Sequence, residues 1–228
     1  FYLLAEFIIS ILITTIVTFK SGTRTALLCF LLTLIGFAVF RIKKMNPKFV
    51  DKMFYVVVAG LFIMTFFYIH ISEISWFQTV NELSRKYFDK NINSSRGLLW
   101  QSAFQETTFF EIIFGRGTGT LPQLERYKNS SFHNTYIQLI VQNGVIGLLL
   151  LLFIFRTLWK KLCKYTNDIV IQFILCCFLG ILLYNCFECK LLQNKAFLGA
   201  VQWVLISFGI IRIRLLENKQ KANGYVSL

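Results

Sequence analysis

Six apolar runs decide what this chain can fold into: Phe1 to Phe19, Ala26 to Phe40, Met53 to His70, Tyr136 to Phe155, Ile169 to Tyr184 and Ala196 to Ile211. A helix rises about 1.5 Å per residue, so roughly 20 predominantly apolar residues cross a hydrocarbon core of about 30 Å. Some of the six fall a few residues short of that. At 56% hydrophobic and 15% charged, the 228 residues carry far more apolar surface than one soluble core needs. The expectation is an all-α, polytopic transmembrane helix bundle of about six spans. It forms a single membrane domain over residues 1–228, with residues 71–132 as one long extracytoplasmic loop containing interfacial helices.

A net charge of +13 raises nucleic acid as a partner, but the placement of the charge points to topology instead. Arg41, Lys43, Lys44, Lys48 and Lys52 fill one short connection, Arg156, Lys160, Lys161 and Lys164 another, and Arg212, Arg214, Lys219 and Lys221 the tail. By the positive-inside rule these three segments are cytoplasmic, which puts both ends of the chain inside and residues 71–132 outside. Thirteen of the 24 basic residues serve this bias, so the lipid bilayer is the expected partner and nucleic acid is not.

The chain opens on Phe1 inside an apolar run, with no charged leader region or small-residue cleavage site, so a signal peptide is a poor reading. It reads as the C-terminal part of a longer polytopic protein. Of six cysteines, Cys29, Cys176 and Cys177 fall in apolar spans, where a thiol acts as a small hydrophobe. Cys186 and Cys189 have a tempting spacing, but with no second pair or nearby histidine it favours a local disulfide over zinc. No metal and no cofactor are expected.

The 62-residue segment Ile71 to Phe132 contrasts with every other connection, all short, and loops of that length are usually functional or disordered. Its aromatics, Trp76, Phe77, Trp100 and Phe104 among them, argue against a solvated linker. Leu99, Trp100, Ala103 and Phe104 recur at helical spacing, with Ser94 or Ser95 placed to cap the start, which predicts an interfacial amphipathic helix with Trp100 at headgroup level. "GRGTGTLP", Gly115 to Pro122, lacks the Lys-Ser/Thr end of a phosphate-binding loop and reads as a turn leading into the next span.

That span begins with His133, an ionisable ring at a membrane boundary. An interfacial histidine that merely ends a helix is the bland reading. On a continuous helix, however, Gly144 and Gly147 would lie at about 20° and about −40° from His133, with Ile137 and Ile140 on the same face. His133 would then top a stripe whose lower part has no side chains, where a helix or a lipid chain can approach. Ser130, Ser131 or Asn134 can cap this end, and the positive end of the helix dipole disfavours imidazolium, leaving a ring that can accept a proton as a general base must. Arg24 sits in the first turn of an outer-side span, where a cation opposes the dipole and adds nothing to orientation. An anionic ligand gripped by the guanidinium would explain it, against a plain snorkelling arginine. Arg96 opens the interfacial helix on the same side, and with Arg24 and His133 makes a constellation of two cations and one base suited to a lipid diphosphate. Arg116, Arg126 and Lys128 add positive field. The outer-loop carboxylates Glu73, Glu82, Asp89, Glu106, Glu111 and Glu125 are dispersed, with no paired arrangement to hold Mg²⁺ on a diphosphate.

"HNTYIQLIVQNGVIG" resembles the pattern of the bacterial O-antigen ligase and polymerase family at His133, Asn134, Gly144 and Gly147. "SGTRTALL", "RGLLWQSA" and "GRGTG" precede it in the order that family uses, and the resemblance covers roughly Ser21 to Trp159. It implies a metal-independent, inverting glycosyltransferase of cell-surface polysaccharide assembly, acting on undecaprenyl-diphosphate-linked oligosaccharide at the extracytoplasmic face of the bacterial cytoplasmic membrane. On this likeness His133 takes the proton of an acceptor hydroxyl, Arg24 and Arg96 stabilise the departing diphosphate, Arg116 joins the substrate-binding set, and Asn134 orients the ring or the sugar. A polymerase of repeat units is preferred, with a ligase to lipid A core or another acceptor as the alternative, and a chain-length regulator is a conceivable protein partner. A lipid-linked oligosaccharide flippase is the rival from another class. It would grip substrate near the bilayer midplane between broken helices, whereas the ionisable candidates here gather at one surface.

Overall fold

In lipid no water pairs backbone N–H and C=O groups, so a chain this apolar satisfies them inside helices. The computed structural model describes residues 13–17, 24–43, 45–71, 74–88, 96–105, 107–123, 130–192 and 196–222, and all regular structure among them is helical. Eight helices follow the short helical piece at 13–17: α1 Arg24–Ile42, α2 Pro47–His70, α3 Ser75–Phe88, α4 Arg96–Gln105, α5 Phe109–Phe114, α6 Thr135–Cys163, α7 Ile169–Phe187 and α8 Ala196–Ala222. Five of these, α1, α2, α6, α7 and α8, are long and apolar enough to cross a membrane. The first expected span, Phe1 to Phe19, lies outside the described residues except for 13–17.

α7 is the hub. In its most apolar stretch 61% of residues are buried, against 11% in α1 and in α2, whose remaining faces carry exposed side chains such as Leu31, Ile35, Phe62 and Phe66 and are left to lipid. α1 packs antiparallel on α7, with Gly36 against Cys176 and Gly180 against Thr33. Phe155 and Trp159 of α6 meet Phe178 of α7 edge-on, with centroids 5.3 and 5.6 Å apart. Two polar bolts lie at the end of the bundle where the basic connections gather. Arg156 grips Asp51 of α2 bidentately at 2.6 and 2.7 Å and reaches Tyr55 Oη at 2.8 Å. Asp168 caps α7 by accepting from the Val170 and Ile171 N–H groups, and also receives Arg212 of α8 at 2.7 Å.

Three expectations are corrected. Ser94 and Ser95 lie outside the described residues, and Trp100 of α4 does not face headgroups: it and Leu99 are fully buried, and the Trp100 indole donates to the Phe132 carbonyl at 2.7 Å. Leu99, Trp100 and Ala103 go into a small core with Phe132, Ile137 and Val141 while Leu98 and Phe104 stay exposed, because a tryptophan that finds both packing and a hydrogen bond inside has no reason to sit among headgroups. The amphipathic helix is α3, where Trp76, Val80, Leu83 and Tyr87 form an exposed stripe at helical spacing beside Glu82, Arg85 and Lys86. Cys186 and Cys189 are both free thiols rather than a disulfide.

The third correction concerns α6. Gly144 has φ 69° and ψ −177°, so the helix is broken there, and angles counted at 100° per residue from His133 do not carry through to Gly147. His133 itself precedes the helix, with φ 50°. The stripe of the sequence reading therefore does not exist. The break has another use: it frees the carbonyls of Val141 and Gln142, which accept from the Arg116 N–H (2.8 Å) and the Gly117 N–H (3.1 Å). A Cβ on Gly144 would collide with the Ile113 carbonyl, and one on Gly115 with the Gln142 carbonyl. The glycine turn 115–119 is thus seated in the gap of α6, backbone against backbone.

Candidate active site

The site assembles where α4, α6 and α7 meet. Asn134 is the N-cap of α6, its Oδ1 accepting from the Tyr136 and Ile137 N–H groups at 3.0 and 3.1 Å. Of the three capping candidates, the cap is Asn134, wholly buried. Its N–H donates to Cys189 Sγ at 3.0 Å, and its Nδ2 lies 3.8 Å from Cys186 Sγ, so the two cysteines anchor the start of α6 to the end of α7. Burial pushes the Cys189 thiol up to about 12, which keeps it a neutral acceptor. Thr135 Oγ1 lies 2.9 Å from both Asn185 Oδ1 and the Glu188 carbonyl, its one proton serving either, and Asn185 continues to Gln202 of α8 at 2.8 Å.

This frame sets Glu188, the residue just past α7, against the functional side chains. Arg96 Nη2 donates to Glu188 Oε1 at 3.2 Å, His133 Nδ1 lies 3.6 Å from Oε2, and Lys190 Nζ lies 3.9 Å from Oε2. Burial raises the Glu188 carboxyl, but His133, Arg96 and Lys190 outweigh it and hold its pKa below the ordinary value of 4.5. His133 Nδ1 is buried with no hydrogen bond, whereas 36% of its side chain is exposed, so Nε2 is the nitrogen open to a ligand. The left-handed backbone of His133 costs about 1–2 kcal/mol for a non-glycine residue and is held by its N–H on Ser131 Oγ (3.3 Å) and by the Asn134 cap that follows.

His133 and Arg96 are therefore brought together across one carboxylate. The Arg24 side chain lies outside the described residues; its backbone opens α1, and the antiparallel packing of α1 on α7 puts that turn at the same end of the bundle as Glu188. Arg126 and Lys128 also fall outside the described residues. Arg116 is held elsewhere, its Nη2 donating to Thr107 Oγ1 at 2.8 Å and its Nε 3.5 Å from Glu111, which fixes the glycine turn against α5. Asn134, expected on the ring or the sugar, has its carboxamide oxygen engaged in the cap of α6. Glu188 escaped the sequence reading, which weighed carboxylates only in the long loop. The signal was present: an acid beside Lys190 in the short connection between the last two spans.

Two hollows flank the first turns of α6. An apolar one of about 160 Å³ lies between α2 and α6, with Phe62, Thr65, Phe66, Phe104, Ile137 and Ile140 on its wall. A larger and more polar one of about 610 Å³, lined by carboxamides, hydroxyls and leucines, lies between α6 and the glycine turn. Comparison with curated proteins and with solved structures gives no match. The profile of the family described as O-antigen ligase matches residues 9–152, well over half of the chain, and takes in Arg24, Arg96, Arg116, His133, Asn134 and the Gly144 break.

Proposed function

Because the chain belongs to the O-antigen ligase family, whose members act in surface-polysaccharide assembly, we propose that it is an inverting glycosyltransferase that polymerises oligosaccharide units carried on undecaprenyl diphosphate. The meeting of His133 and Arg96 on Glu188 is the observation that carries this. His133 Nε2 takes the proton of an acceptor hydroxyl, whose oxygen attacks the anomeric carbon from the face opposite the leaving group. The bond from that carbon to the diphosphate oxygen breaks, and its electron pair leaves with the lipid diphosphate. Glu188, 3.6 Å from Nδ1, offsets the positive charge the ring gains, as the carboxylate of a catalytic triad does for its histidine. Arg96, with Arg24 as the second cation, stabilises the charge growing on the diphosphate, so no metal ion is called for. The apolar hollow below gives the isoprenoid chain a wall on α2 and α6. These features suit an active site on the extracytoplasmic face, with both ends of the chain inside.

Flipping of the lipid-linked glycan has less support. The break in α6 is occupied by the backbone of residues 115–117 rather than opening onto a ligand. A ligase would use the same chemistry on a different acceptor. Full-length protein in vesicles, supplied with a diphosphate-linked oligosaccharide, is expected to yield a ladder of products; a single transfer that needs a separate acceptor identifies a ligase. His133→Ala should lower turnover by roughly 10² to 10⁴, and turnover should survive a chelator. Unchanged turnover in both His133→Ala and Arg96→Ala ends the proposal.

A further inference from the structure

We propose that the polar cleft beside Glu188 is a saccharide subsite, an inference that rests on the glycan-transfer reading above. The cleft lies within the range of about 300–1,000 Å³ usual for ligand pockets. Its polar lining is Thr118, Thr135, Gln138, Gln142 and Asn143, with Leu121, Leu139 and Leu192 between them, and among the described residues on its wall none is charged. The contrast with its neighbours is sharp, because Thr135 lies two residues after His133 and Cys189 directly follows Glu188. A diphosphate needs cations and would find none among the described residues of this wall. Sugar hydroxyls both donate and accept, as carboxamides and hydroxyls do, while the C–H faces of a ring suit leucine. Gln138 spends only its Oε1, accepting from the Phe132 N–H (3.4 Å), and Gln142 only its Nε2, donating to the Thr120 carbonyl (3.1 Å), so each keeps one polar atom for a ligand. These two bonds also hold the cleft open: one ties its inner wall to the turn before His133, the other its outer wall to the glycine turn.

The saccharide is either the non-reducing end of the acceptor or the glycan of the donor. Both present the same uncharged hydroxyls, and kinetics separates them. The test uses full-length protein in nanodiscs and, as probe, the free oligosaccharide released by mild acid from the lipid-linked pool of the producing cells. Saturation-transfer NMR should show the probe bound to wild-type protein and equally to His133→Ala. Thr118 and Asn143 are exposed, so Thr118→Val with Asn143→Leu removes two polar groups without disturbing the core. Each neutral hydrogen bond is worth roughly two- to tenfold in affinity, so the pair should weaken binding at least about fourfold. In turnover the double variant should raise KM at unchanged kcat, for the acceptor alone if the acceptor sits in the cleft and for the donor alone if the donor does. Undiminished probe binding in the double variant, or an unchanged KM for both substrates, overturns the subsite while leaving glycan transfer intact. Probe binding that depends on Thr118 and Asn143 in a protein showing no transfer upholds the subsite and removes the catalytic reading.

Discussion

Glu188 is the residue on which the site balances, and its charge makes a prediction in two variables. Its folded-state pKa is depressed, so the stabilisation it provides is fully present above pH 4.5 and fades as the pH falls through the lower folded value. Glu188→Gln should therefore melt below wild type at pH 7, and the gap should close in acid; a gap that is constant or widens as the pH drops contradicts the linkage. The same substitution leaves Arg96, Lys190 and the ring without their shared counter-ion. Turnover at pH 7 should fall on the order of 10- to 100-fold, less than for loss of the base itself. His133 was legible as a candidate because an ionisable ring at the head of an apolar run is costly without a use. What could not be read was its neighbour: Glu188 is 55 positions away, and the bonds that join the two segments run through Asn134, Thr135 and the thiol of Cys189. No spacing rule reports a contact of that kind.

Among the elements, the two glycines of the motif show how a correct match can carry the wrong reason. Helical periodicity predicts a smooth face from both, since it assumes regular geometry and cannot announce where it stops. Gly144 instead sits at a φ and ψ almost confined to glycine, with the Ile113 carbonyl where a Cβ would go. Gly144→Ala should cost roughly 1–3 kcal/mol and unseat the glycine turn, and trypsin should then cut at Arg116 faster than in wild type, where its N–H and guanidinium are both engaged. The helices of the long loop were likewise legible as helices but not by destination. Four apolar residues in α4 say that it has an apolar face, not whether lipid or protein covers it, and the indole bond to Phe132 decides for protein at Trp100 while Phe104 stays exposed. α3 has the opposite outcome. Its exposed stripe should lie in the headgroup region, so brominated lipids should quench a fluorescence component that Trp76→Phe removes; Trp100 and Trp159 are fully buried, and the half-buried Trp203 of α8 supplies the quenching that remains. Quenching unaffected by that substitution would place α3 away from the bilayer.

For the molecule as a whole, the argument is about sides. The five spans and their short connections followed from apolar length, and the helices run further than read, α6 to Cys163 and α8 to Ala222, because arginine and lysine stems extend a span past its apolar core. The bundle separates its polar work by end. Asp51 with Arg156 and Asp168 with Arg212 pair at one end, beside Lys52, Lys160 and Lys164, and fix α2 to α6 and α7 to α8. His133, Arg96, Glu188 and the polar cleft lie at the other, with the first turn of α1. Basic residues near span ends are retained in the cytoplasm, so the paired end should face inward and the site outward. Reporter fusions test this without reference to catalysis. Alkaline phosphatase, active only after export, should be active when fused after Gly119 or Lys190 and inactive after Lys164 or Lys219, and a cytoplasmic fluorescent reporter should give the converse. The inverted pattern would put Glu188 among nucleotide-rich solvent, on the side where glycans are built from activated sugars, and the lipid-diphosphate donor would have to be sought in the other leaflet.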